Sequence, residues 1–106
     1  FAFKGELMCF VHVLLNALDM HNKGVQVKIV FEGEAVTLIQ PLTEQQNPLN
    51  KKALEVGLID GVCKACSAKM GVLAYNEASA VRLLDDMSGH PSIYAYVEQG
   101  YELIVL

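Results

Sequence analysis

A chain of 106 residues, 53% hydrophobic and 19% charged, is long enough to bury one hydrophobic core without disulfides or a structural metal, and too apolar to be disordered. Its net charge of -4, with 8 basic residues scattered along the chain, gives no broad attraction for phosphate backbones or anionic lipid. Nucleic acid and membrane surfaces are therefore excluded as expected partners, and the high apolar fraction predicts a homo-oligomer.

The longest apolar stretch, residues 7–18, is interrupted by His12 and Asn16 and is too short to span a bilayer. It has neither the basic start nor the small-residue cleavage site of a signal peptide. Three cysteines without a secretion signal predict free thiols in a reducing cytoplasm.

Residues 1–3 (FAF) read as the tail of a buried strand whose beginning is missing. From Leu7 to about Asn22, the polar residues His12, Asn16, Asp19 and Lys23 recur at spacings of four, three and four, which predicts an amphipathic helix stopped by Gly24. The β-branched run at 25–31 (VQVKIVF) predicts a second strand, ended by Glu32-Gly33-Glu34. A short helix is expected over 35–39, a polar loop over 41–48, and another short helix over 49–56, closed by Gly57. A third strand is expected over 58–63, then helix over 66–73 weakened by Gly71, a separate helical turn over 76–80, and a fourth strand over 81–84. The loop DDMSGHPS leads through Pro91 into a helix over 92–99, Gly100 stops it, and YELIVL reads as a last buried strand.

Five alternations of strand and helix predict a single domain over residues 1–106. The expected architecture is α/β, a three-layer αβα sandwich around a mostly parallel five-stranded sheet of flavodoxin-like topology. In such sheets, ligands sit at the carboxyl ends of the strands. The loops of interest are then Lys4 to Glu6, Gly33 and Glu34, Cys63 to Cys66, and Asp85 to His90.

Cys63 and Cys66 form a Cys-x-x-Cys pair where the third strand gives way to a helix. The helix N-terminus, with Lys64 and Lys69 nearby, favours thiolate, the nucleophilic form, at Cys63, and Cys66 lies within reach as a second thiol. Two small packed core residues are the plainer reading of the pair. A third reading is a zinc site in which Cys9 and His12 complete a set with Cys63 and Cys66, although Cys9 and His12 stand about 60° apart around their helix. Cys9 alone reads as a packed small residue. His90, in a strand-end loop, reads as a cap or as an acid/base group beside the thiol. Asp85 and Asp86 read as turn caps, and Glu6 as a favourable charge at a helix start close to the strand ends. No nucleotide-binding or nucleophilic-serine motif is present, and no cofactor is expected.

Taken together, GVCKACSAKMG after the third strand, FAFKGE, VKIVFEGEA, LLDDMSGHPS and the terminal GYELIVL resemble the DsrE/DsrF-like family in nearly their whole order. The resemblance implies a small parallel α/β fold, an oligomer, and sulfur handling with sulfane sulfur carried as a persulfide on Cys63. It further implies sulfur donor or acceptor proteins as partners, with Lys69 and Gly71 echoing the basic residue and glycine of the family's following helix. Met70 stands where sulfur-relay members carry a second basic residue, and Cys66 makes the site a dithiol. The alternative function is a non-catalytic oligomeric module whose strand-end pocket holds a small ligand or a metal ion.

Overall fold

The computed structural model describes all 106 residues. The first helix, α1, runs over Leu7–Asn22, and its polar stripe faces away from the core while Phe10, Leu14 and Ala17, spaced by four and three, are buried. It stops where Gly24 takes a left-handed φ of 85°, a conformation that costs glycine nothing.

Strand β1 follows at Ile29–Phe31, then a 3-10 helix at Gly33–Leu38, α2 at Ile39–Glu44 and α3 at Pro48–Glu55. The expected loop over 41–48 is therefore helical in its first half. Pro41 sits in the first turn of α2, where its missing N–H loses no helical bond, and Leu42 is drawn into the core. Asn47 caps α3 by accepting from the N–H groups of Leu49 and Asn50 at 3.0 and 3.1 Å. Strand β2 spans Ile59–Cys63, followed by α4 at Lys64–Lys69, α5 at Leu73–Ala78, β3 at Leu83–Leu84 and α6 at Ile93–Glu98. The helix expected over 66–73 starts earlier and breaks in two, because Gly71 takes a φ of 75° between α4 and α5.

The α/β class and the parallel sheet are as expected, but the sheet has three strands rather than five, in the order β1-β2-β3. Residues 1–3 contribute only an isolated parallel bridge from Ala2 to Phe31. Residues 101–106 form no strand. They lie beside residues 1–3 through the bonds Phe1 N to Ile104 O, Leu106 N to Phe1 O and Phe3 N to Leu106 O, and Leu103 through Leu106 are exposed rather than buried.

The core joins Phe10, Leu14 and Ala17 of α1 to Phe31, Val36, Leu42, Ala53 and Val62, with Phe10 and Phe31 stacked at 4.6 Å. Each large side chain buried here stabilises the fold by roughly 1.5–3 kcal/mol. No helix is long and apolar enough to cross a membrane. The hydroxyl of Tyr96 on α6 donates to Asp60 of β2, which also pairs with Arg82 at 3.2 Å. A cleft of about 780 Å³ runs between residues 25–30 and residues 101–104, away from the carboxyl ends of the strands.

Candidate functional site

Three consecutive strand ends converge, each for a local reason. Strand β1 ends at Phe31, and the next residue, Glu32, caps the 3-10 helix by accepting from the N–H of Gly33 at 3.4 Å. Gly33 is required there: its φ is 51°, and a Cβ would lie 3.2 Å from the Phe3 ring. Strand β2 ends at Cys63, which is the N-cap of α4. Its sulfur accepts from the N–H of Cys66 at 3.3 Å, so the Cys-x-x-Cys spacing places both thiols on the first turn. After β3 the chain reverses in a two-residue turn, with Ser88 and Gly89 both at positive φ and Met87 and His90 exchanging backbone bonds at 2.7 and 2.9 Å. Gly89 presents its carbonyl to the N–H of Ala65 at 2.8 Å, which locks this turn onto the start of α4 and aims His90 at the cysteines.

The result is one cluster of four donors, Glu32, Cys63, Cys66 and His90, whose ligand atoms all lie within 4.8 Å of one another. Cys63 Sγ lies 3.1 Å from His90 Nδ1, and the Cys66 thiol donates to Glu32 Oε1 at 3.1 Å. His90 Nδ1 is 3.8 Å from both Cys66 Sγ and Glu32 Oε1. Cys63 is fully buried and Glu32 is 7% exposed, while Cys66 and His90 reach partly to solvent. The cluster therefore has an inner and an outer side.

The thiols are not activated in the way the sequence led us to expect. Burial pushes the Cys63 thiol well above its ordinary value; the backbone N–H of Cys66 works against the rise, while the Cys66 thiol and Glu32 add to it. Cys66 is raised as well, again first by burial and then by Glu32. The positive charge foreseen nearby is spent elsewhere. Lys64 pairs with Asp85 at 3.7 Å on the surface, Lys69 stands in the last turn of α4, and that helix has only six residues with which to build a dipole.

The rise sets a pH dependence. An unfolded thiol ionises near pH 9.0 while the folded Cys63 keeps its proton, so above that pH the unfolded chain binds fewer protons and stability falls. Metal-free protein should lose up to about 1.4 kcal/mol per pH unit above pH 9 from this thiol. Thermal melts with a chelator between pH 8 and 11 should show this loss, and Cys63→Ala should flatten it; an unchanged slope in that variant would refute the assignment.

Of the residues singled out in the sequence, Cys63, Cys66 and His90 meet in the cluster. Cys9 and His12 do not belong to it: on α1, Cys9 donates to Glu6 at 3.5 Å and the His12 side chain is exposed, so the donors that meet Cys63 and Cys66 are Glu32 and His90 instead. Glu6 stays at the start of α1 with Cys9 as its partner. Neither aspartate side chain caps the Ser88-Gly89 turn: Asp86 accepts instead from the N–H of Ser92 at 3.3 Å, and Asp85 pairs with Lys64 at 3.7 Å. Glu32 was missed as a donor. Its signal was positional: it is the first residue after a strand, at the carboxyl end where loops meet.

No family model matches the chain, and no solved structure matches it. The chain is similar to the uncharacterized protein MJ0733 of Methanocaldococcus jannaschii, with 34% identity over 96 residues that cover 91% of this chain and 78% of that protein.

Proposed function

The chain belongs to one family with the uncharacterized Methanocaldococcus jannaschii protein, and from that premise we propose that it binds a single thiophilic divalent ion of the zinc class through Glu32, Cys63, Cys66 and His90. The observation that carries this reading is the convergence of two thiols, an imidazole and a carboxylate within 4.8 Å. A tetrahedral zinc ion with bonds of about 2.0–2.3 Å holds its donors roughly 3.3–3.8 Å apart. The Cys66 contacts to His90 at 3.8 Å and to Glu32 at 3.1 Å are already near that range, so binding requires only small movements.

The raised thiols agree with this role. A buried thiol that resists ionisation is a poor free nucleophile, whereas a metal ion supplies the positive charge that the site lacks. Binding releases two thiol protons and leaves two thiolates and a carboxylate against the ion's two positive charges. The outer side of the cluster, at His90 and Cys66, is where an exchanging ion enters.

Sulfur handling is the second reading, favoured by the family resemblance and by the partial exposure of Cys66. In that scheme Cys66 passes its proton to Glu32, its sulfur attacks the outer sulfur of a persulfide donor, and the donor leaves as a thiolate that takes up the proton. The acceptor is then Cys66 rather than the buried Cys63, in the reducing cytoplasm and with a second copy of the chain as partner.

Metal analysis after aerobic purification and chelator-competition titration test the first reading. One zinc ion per chain is expected, with Kd of about 1 nM or below at pH 7. No bound metal after reconstitution of the reduced protein would sink it. A thiol-reversible gain of one sulfur atom at Cys66, seen by intact mass after incubation with a persulfide donor, would support the second reading instead.

A further inference from the structure

Two thiolates and a carboxylate repel one another, so the scaffold must hold them at ligand distance. Asn76 on α5 is 1% exposed and its side chain hydrogen-bonds to none of the four donors. Its Nδ2 donates to the carbonyl of Val36 at 3.0 Å and to Ser67 Oγ at 3.0 Å. Ser67, itself fully buried, donates to the carbonyl of Cys63 at 2.7 Å. Val36 lies in the 3-10 helix that Glu32 caps, and Cys63 is a member of the cluster. One amide thus ties the backbone carrying Glu32 to the backbone carrying the cysteines.

The hydrogen-bond roles are determined by the partners. Ser67 commits its hydrogen to Cys63, and Val36 offers only a carbonyl, so both must accept from Asn76. The Oδ1 of Asn76 is left buried without a partner, an arrangement that is unfavourable by itself. An apolar side chain in this place would avoid that cost. The value of the amide therefore lies in the two bonds it donates.

We infer that Asn76 is a positioning residue for the metal cluster, setting the separation between Glu32 and the Cys63–Cys66 pair through Val36 and Ser67. This rests on the metal reading above. Outer partners of this kind typically contribute 10–100-fold to metal affinity by orienting the ligands. Here the orientation acts through backbone rather than through a ligand's own side chain.

The test measures zinc affinity by chelator competition, and the absorption spectrum of the cobalt(II)-loaded protein, in the unsubstituted chain and in Asn76→Leu, Ser67→Ala and Asn50→Ala. Asn50 is the control, because it is 5% exposed with an equally unpartnered Oδ1 but lies on α3. Asn76→Leu and Ser67→Ala should weaken zinc binding by about 10–100-fold and shift the cobalt bands. Asn50→Ala should lower stability and leave both readouts unchanged. Wild-type affinity and spectrum in folded Asn76→Leu and Ser67→Ala would overturn the inference while leaving the metal reading intact. If Asn76→Leu does not fold, Ser67→Ala decides alone, since it keeps the Asn76–Val36 bond. Failure of the unsubstituted protein to bind zinc or cobalt would sink both together.

Discussion

Cys66→Ser should weaken zinc binding by more than about 100-fold, beyond what the loss of an outer partner causes, whereas Cys9→Ser and His12→Gln should leave the affinity where it was. The hydroxyl of serine keeps nearly the size of the thiol but is a poor ligand for a thiophilic ion, and Cys66 supplies one of only two sulfurs in the cluster. The same variants should separate in thermal melts. At a free zinc concentration of 1,000 Kd, binding stabilises the folded chain by about 4.1 kcal/mol, which for a domain of this size means roughly 16–33 °C in Tm. A 100-fold weaker variant at the same zinc concentration would lose about 2.7 kcal/mol of that stabilisation. The comparison with Cys9 and His12 matters because those residues supply the same chemistry at the same Cys-x-x spacing. Only their place on α1, away from the strand ends, removes them. Retention of wild-type affinity in Cys66→Ser, or its loss in Cys9→Ser, would contradict the site as drawn.

Gly61→Val should cost about 2–3 kcal/mol of stability and weaken zinc binding as well. Gly61 is in the middle of β2, paired with Val30 of β1. A Cβ added there would stand 2.5 Å from Leu84 Cγ and 3.0 Å from the carbonyl of Arg82. The first clash is with the branch point of a side chain and the second with backbone, so neither neighbour has an easy way to yield. Relief comes by pushing β3 away from β2. Because β3 is only Leu83–Leu84 and holds to β2 through the pairs Val62–Leu83 and Cys63–Leu84, such a shift carries the Asp85–His90 loop with it and draws His90 from the cysteines. Chemical denaturation should show a lower midpoint with an unchanged m-value, and Gly61→Ala should fall between Gly61→Val and the unsubstituted chain. Stability of Gly61→Ala equal to or above the wild type would refute the packing argument.

Both predictions rest on contacts between strand ends, which mark the limit of what was legible in the residues. The chain alone determined α1 over Leu7–Asn22, since a polar stripe spaced by three and four and a closing glycine are local signals. It also determined the parallel α/β class, the end of β2 at Cys63, and the presence of two thiols and a histidine at strand ends, because alternation and strand punctuation are likewise local. Tertiary structure decided the rest. Glu32 lies 31 residues from Cys63, a separation given by their numbers in the chain, and only the pairing of β1 with β2 brings the carboxylate to the thiols. The direction of the thiol shifts was equally nonlocal: a helix start and two lysines argued for thiolate, but burial and a carboxylate from the end of another strand raised both groups instead. The last six residues looked like a core strand by composition, yet they form no strand, and Leu103 through Leu106 lie exposed beside residues 1–3. Periodicity records which face of an element is apolar. What covers that face, and which distant side chain shares its water-free space, is set only when the elements meet.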